Sequence, residues 1–129
     1  MFSKIQHAGY LVEDLESAIA WYVKPFDGKH TGGGTAAAGR LGFIQIGDVE
    51  VELIEPPDKS GFPANGGHLL DHVGYVVDDL DKAVAEYKSK GYKFATDGPF
   101  VNIMGYRLIF FDTDSTHGTR IHLTEASSL

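Results

Sequence analysis

The chain has 129 residues, 43% of them hydrophobic, and a net charge of −7, which fits one compact domain with a buried core. Its acidic balance excludes nucleic acid and anionic membrane surfaces as main partners, because both need a basic face. The absence of cysteine excludes disulfides, zinc fingers and thiol catalysis. With no long apolar run and no signal-peptide core, the expectation is a cytoplasmic protein outside the membrane.

Lys4 to Val12 alternates as a strand does, with Ala8, Tyr10 and Val12 on one face and His7, Gly9 and Leu11 on the other. Glu13-Asp14 then offers an acidic helix start, followed by an apolar stripe of Leu15, Ala18, Ile19 and Tyr22 that Pro25 and Gly28 end. His30 to Gly39 is rich in glycine and alanine and reads as a flexible connection or frayed edge strand, with a mobile flap as the alternative. Arg40–Ile46 and Val49–Glu55 read as two strands joined at Gly47-Asp48, and Pro56-Pro57 opens a linker to about Leu69.

The order then repeats: a strand over Leu70–Val77, a helix over Leu80–Lys90 stopped at Gly91, a short strand near Tyr92–Thr96, and strands over Tyr106–Asp112 and Thr119–Glu125. The tail after Ala126 reads as frayed. The repeat is visible residue by residue. Ile5 to Tyr22 lines up without gaps on Leu70 to Tyr87 at an offset of 65 residues. We therefore expect a single domain over 1–129, with module one at 1–56, a linker at 57–69 and module two at 70–126.

Four polar residues interrupt the apolar pattern of these strands: His7 and Glu52 in module one, His72 and His122 in module two. His72 repeats His7, and Glu52 and His122 hold matching places in the last strand of each module. If the apolar face of each sheet packs on its helix, all four point the other way, into a cup formed by the two sheets. Three imidazoles and a carboxylate suit one divalent ion, with zinc, nickel, cobalt, manganese and iron all admissible. His30, His68 and His117 read as loop histidines, and Glu50 and Glu55 as solvated strand-end charges.

His7-Ala8-Gly9-Tyr10, His72-Val73-Gly74-Tyr75, Val51-Glu52-Leu53-Ile54-Glu55-Pro56 and Gly118-Thr119-Arg120-Ile121-His122-Leu123 resemble the motifs of the vicinal oxygen chelate superfamily. That group includes glyoxalase I, methylmalonyl-CoA epimerase, extradiol dioxygenases and bleomycin-resistance proteins. The resemblance is nearest to the epimerase and glyoxalase I branch. It implies an α+β fold of two βαβββ modules forming an incompletely closed, eight-stranded, barrel-like cup with helices outside. It also implies that His7, Glu52 and His72 are metal ligands. The branch usually carries a glutamate where this chain has His122, and the epimerases place a catalytic carboxylate on the strand matching Arg40–Ile46, whose polar residues here are Arg40 and Gln45.

The expected function is that of a metal-dependent isomerase, epimerase or glyoxalase-type lyase. It would act by α-proton transfer through an enolate or enediolate, with Glu52 as base and His122 as ligand or proton carrier. The substrate would be a small molecule, a thioester or an α-hydroxycarbonyl compound; Arg40, Arg107 and Arg120 are the basic residues available to a coenzyme A thioester. A homodimer is expected. The alternatives are a non-catalytic binding protein of the bleomycin-resistance type and an extradiol-type dioxygenase.

Overall fold

The computed structural model describes residues 2–129. The elements are β1 (Lys4–Leu11), α1 (Leu15–Val23), β2 (Lys29–Ala36), β3 (Gly39–Ile46), β4 (Val49–Glu55), β5 (Leu69–Val77), α2 (Leu80–Ser89), β6 (Phe100–Val101), β7 (Arg107–Phe110) and β8 (Ile121–Glu125). The fold is α+β, two βαβββ modules in sequence. Hydrogen bonding orders the strands β2-β3-β4-β1 in the first module and β5-β8-β7-β6 in the second, eight strands in all.

The chain forms two compact units. One spans His7–Asp71; the other joins His72–Leu129 to the N-terminal residues through Gln6. Strand β1 thus contributes to both: Lys4 to Gln6 belong to the second unit, following Ser3, whose N–H donates to the Val76 carbonyl, and the remainder pairs with β4.

In the unit spanning His7–Asp71, β1 runs parallel to β4, and β4, β3 and β2 continue antiparallel. Helix α1 begins at Asp14, whose carboxylate accepts from the Ser17 N–H. It lays Leu15, Ala18 and Ile19 on Val12, Ile44 and Leu53. In the other unit β5 runs parallel to β8, and β8, β7 and β6 continue antiparallel. Asp79 caps α2 through the Lys82 N–H, and Leu80, Ala83 and Val84 pack on Val77, Ile109 and Leu123. Each module therefore has its own core beneath its own helix. Burying one leucine such as Leu80 contributes about 2 kcal/mol.

A second device closes each module. The Leu15 N–H, at the first turn of α1, donates to Glu55 Oε1 at 3.0 Å, and the Leu80 N–H of α2 donates to Glu125 Oε1 at 3.3 Å. An arginine braces each carboxylate and reaches on to an acid of the same helix. Arg40 joins Glu55 to Glu16, and Arg107 joins Glu125 to Asp81. Hydrogen bonding from Arg40 holds the Glu16 carboxyl below its ordinary pKa. A helix N-terminus favours negative charge, so Glu55 and Glu125 serve both the dipole and the unpaired first N–H.

Several expectations change. The glycine-rich segment is a full edge strand, β2, paired with β3 from Lys29 to Ala36, so His30 lies in a strand. A Cβ at Gly33 would strike the Leu41 carbonyl oxygen, which accounts for a glycine there. The short strand expected near Tyr92–Thr96 reduces to one bridge, Phe94 to Phe111, and the strand proper is Phe100–Val101. Phe94 is held instead by stacking on Phe111, with ring centroids 4.7 Å apart. The C-terminal tail forms a turn over Ala126–Ser128, where Ser128 Oγ accepts from the Arg107 N–H and donates to the Glu125 carbonyl.

Replacing Glu55 or Glu125 by alanine should destabilise the protein by about 1 kcal/mol each, the usual cost of losing a helix cap. Glutamine, whose amide oxygen still accepts, should cost less. Urea denaturation midpoints measure both, and an unchanged midpoint for the alanine variants would remove the carboxylates from the closure.

Candidate metal centre

Strand alternation gives each module one face for its helix and one face turned away from it. In the unit spanning His7–Asp71, Tyr10, Ile44, Val51 and Leu53 face α1. Glu50 and Glu52 therefore share the opposite face of β4, with His7 on the same face of β1. Cross-strand pairing sets Phe43 opposite Glu52 and Gln45 opposite Glu50. His7 Nε2 lies 3.8 Å from Glu52 Oε2.

Glu50 departs from the expectation of a solvated charge, being only 4% exposed. Strand β4 lies between β3 and β1, so neither of its edges is free, and Glu50, two residues before Glu52, shares its buried face. Glu55 is likewise engaged, as the acceptor at the start of α1 and the partner of Arg40. Of the two polar candidates on β3, Arg40 is taken up in that network, and Gln45 Nε2 donates to the Gly47 carbonyl at 2.8 Å.

In the other unit, Tyr75, Val77, Ile109 and Leu123 face α2. His72 and His122 lie on the opposite face, their ring centroids 5.4 Å apart. Phe110, paired across the strands with His122, turns its ring towards both imidazoles, at 4.9 Å from His122 and 5.5 Å from His72. The His122 imidazole lies directly over Gly74 of β5: a Cβ there would collide with Cε1 and fall 2.5 Å from Nε2. The Thr124 hydroxyl lies 3.0 Å from His122 Nδ1. The ring is thus fixed by a backbone surface beneath it, an aromatic edge beside it and a hydroxyl at one nitrogen. Of the basic residues weighed from the sequence, Arg107 braces Glu125 on the helix side, whereas Arg120 rests over the Phe110 ring, 4.9 Å from its centroid.

The four residues singled out from the sequence thus meet in two pairs, His7 with Glu52 and His72 with His122. All four are buried, between 1% and 9% exposed. The other histidines do different work. His30 Nε2 lies 3.0 Å from the Gly32 carbonyl, His68 sits edge-on to Trp21, and His117 occupies an exposed turn at φ 56°. Sequence reading missed Glu50, Phe43, Phe110 and Thr124. Parity with Glu52 and His122 along β4 and β8 would have found Glu50 and Thr124; the phenylalanines needed the strand register.

Gly74→Ala should displace the His122 ring and destabilise the fold by about 1–3 kcal/mol, the range for overpacking a filled site. Gly98→Ala, with open space around it, should be near neutral. Thermal and urea denaturation of the two variants compare them directly; equal stabilities would mean that the ring has another place to go.

Residues 6–110 match the sequence profile of the glyoxalase/bleomycin resistance protein/dioxygenase superfamily. A Bacillus subtilis protein of unassigned function, YwbC, is 27% identical over 118 residues, 87% of this chain and 90% of its own. The mitochondrial methylmalonyl-CoA epimerase of Bos taurus is 24% identical, covering 95% of this chain and 74% of its own. Among solved structures, methylmalonyl-CoA epimerase from Mycobacterium tuberculosis superimposes with a TM-score of 0.84 at 21% identity, over 96% of this chain and 88% of its own. A methylmalonyl-CoA epimerase in complex with methylmalonyl-CoA and NH4+ gives 0.83 at 21% identity, over 99% and 98%. The chain belongs to the glyoxalase/bleomycin resistance protein/dioxygenase superfamily.

Proposed function

We propose that His7, Glu52, His72 and His122 hold one divalent cation, and that the protein is an isomerase, epimerase or glyoxalase-type lyase that moves a proton next to a carbonyl. The observation that carries this reading is the duplication itself. Each module presents an imidazole on its first strand and a second donor on its last, buried and turned away from the helix. Random burial of polar groups does not produce matched pairs, because each costs desolvation unless something compensates it.

The donors fit such an ion. Imidazole nitrogen and carboxylate oxygen ligate zinc and its neighbours at about 2.0–2.2 Å, which leaves adjacent donor atoms roughly 3–3.5 Å apart. The 3.8 Å between His7 and Glu52 is long for a hydrogen bond and close to that spacing. Phe43 and Phe110, flanking Glu52 and His122 across the strands, line the donors with apolar surface, which strengthens electrostatic interactions beside it.

A bound divalent cation supplies Lewis-acid polarisation of a substrate carbonyl oxygen. Glu52 takes the proton from the adjacent carbon; the C–H electron pair moves into the substrate's enolate, and the proton rests on a carboxylate oxygen. Return of a proton to the other face of that carbon, or to a neighbouring atom, gives the epimer or isomer. His122 either completes the ligand set or, as imidazolium, returns the proton. The similarity to methylmalonyl-CoA epimerases over nearly the whole chain supports a thioester substrate, with an α-hydroxycarbonyl compound as the other class.

Elemental analysis of the purified protein should find about one divalent ion per chain. Glu52→Gln should keep most of that ion while lowering α-proton exchange with deuterium oxide at least a hundredfold, within the range lost with a general base. Unchanged exchange would take Glu52 out of the mechanism. A protein without metal that still binds small molecules would be a sequestering module, and oxygen uptake specific to iron would make it a dioxygenase.

A further inference from the structure

Beside the Glu52/His122 exchange, the two modules differ at a second matched position. Glu52 and His122 are equivalent, 70 residues apart, and so are the residues two positions on, Ile54 and Thr124. Ile54 pairs across the strands with Leu41, and Thr124 with Leu108, so the two occupy the same position on the same face. Both are buried, Thr124 completely. Module one keeps this position apolar; module two places a hydroxyl there, 3.0 Å from His122 Nδ1.

The difference follows the chemistry of the neighbouring donor. A carboxylate presents equivalent oxygens and has no tautomer to choose. A neutral imidazole has two unlike nitrogens, and the partner of one decides whether the other carries a lone pair or a proton. We infer that Thr124 is a positioning residue: its hydroxyl oxygen accepts from His122 Nδ1–H and so fixes the tautomer in which Nε2 carries the lone pair. Gly74 beneath the ring and Phe110 beside it fix the plane; Thr124 fixes the proton. This inference rests on the proposed metal site for its purpose, but the tautomer is a property of the polypeptide alone.

The test uses the full chain in three forms: wild type, Thr124→Val and Thr124→Ser. Valine is nearly the shape of threonine, and Ile54 already occupies the equivalent place in module one, so Thr124→Val should fold. In metal-free protein, long-range 1H–15N correlation spectra at a pH where His122 is neutral should show a pyrrole-type Nδ1 and a pyridine-type Nε2. Thr124→Val should lose that preference and Thr124→Ser should keep it. Titration with zinc alone should then show affinity reduced about 10–100-fold in Thr124→Val, as for other partners of ligating histidines, and restored in Thr124→Ser. An Nε2–H tautomer in the wild type, or the same tautomer in Thr124→Val, would overturn the inference. Wild-type protein that shows the expected tautomer but binds no zinc would instead overturn the metal site and leave the role of Thr124 intact.

Discussion

The parallel pairing of a module's first strand with its last is the constraint from which the candidate site follows. It sets His7 in register with Glu50, two positions before Glu52 on the same face, and Gly74 in register with His122. Parallel neighbours need a crossover between them, and here the helix and two intervening strands supply it. The crossover holds because the last residue of the last strand, Glu55 or Glu125, accepts the first N–H of the helix. One carboxylate thereby ties the beginning of the crossover to its end, and the strand that carries it also carries a donor of the site three residues earlier.

Much of this could be read in the sequence because duplication doubles every signal. Asp14 and Asp79 cap their helices at matching positions, and His7 and His72 fall at the same 65-residue offset. Where reading failed, the reason was the environment of a residue rather than its type. Glu50 reads as a surface acid because glutamate is mostly exposed, yet β4 is an interior strand. The Tyr92–Thr96 stretch has strand-like aromatics, but they serve the core under α2, and pairing passes to Phe100–Val101. Arg40 and Arg107 look available to an anionic substrate until the structure shows them spanning helix and strand. Thr124 gives no motif at all; only comparison with Ile54 marks it.

The offsets between modules locate what changed after duplication. They are 65 residues at His7 and His72, 67 at Phe43 and Phe110, and 70 at Glu52 and His122. Module two is therefore longer by two residues ahead of β7 and by three between β7 and β8. Gly47-Asp48 is a tight turn in module one; in module two the same connection carries the short helical turn Thr113–Ser115 and the left-handed His117. Both differences in length fall in connections. The strand register beside the site is the same in both halves, with Phe43 opposite Glu52 and Phe110 opposite His122.

Conserved register with altered side chains explains how one half took a histidine where the other has glutamate. A ligand position on a strand fixes where a donor points, not which donor it is. Exchanging carboxylate for imidazole enlarges the group and adds a second nitrogen that, once buried, needs a partner. Gly74 admits the larger ring and Thr124 partners the added nitrogen. Glu52 has the matching glycine opposite it, Gly9, but Ile54 in place of the threonine. The halves thus diverge together at neighbouring positions. A single exchange of His122 for glutamate would leave the Thr124 hydroxyl buried without its nitrogen partner, so matching the donor arrangement of module one calls for changing His122 and Thr124 together to the Glu–Ile combination.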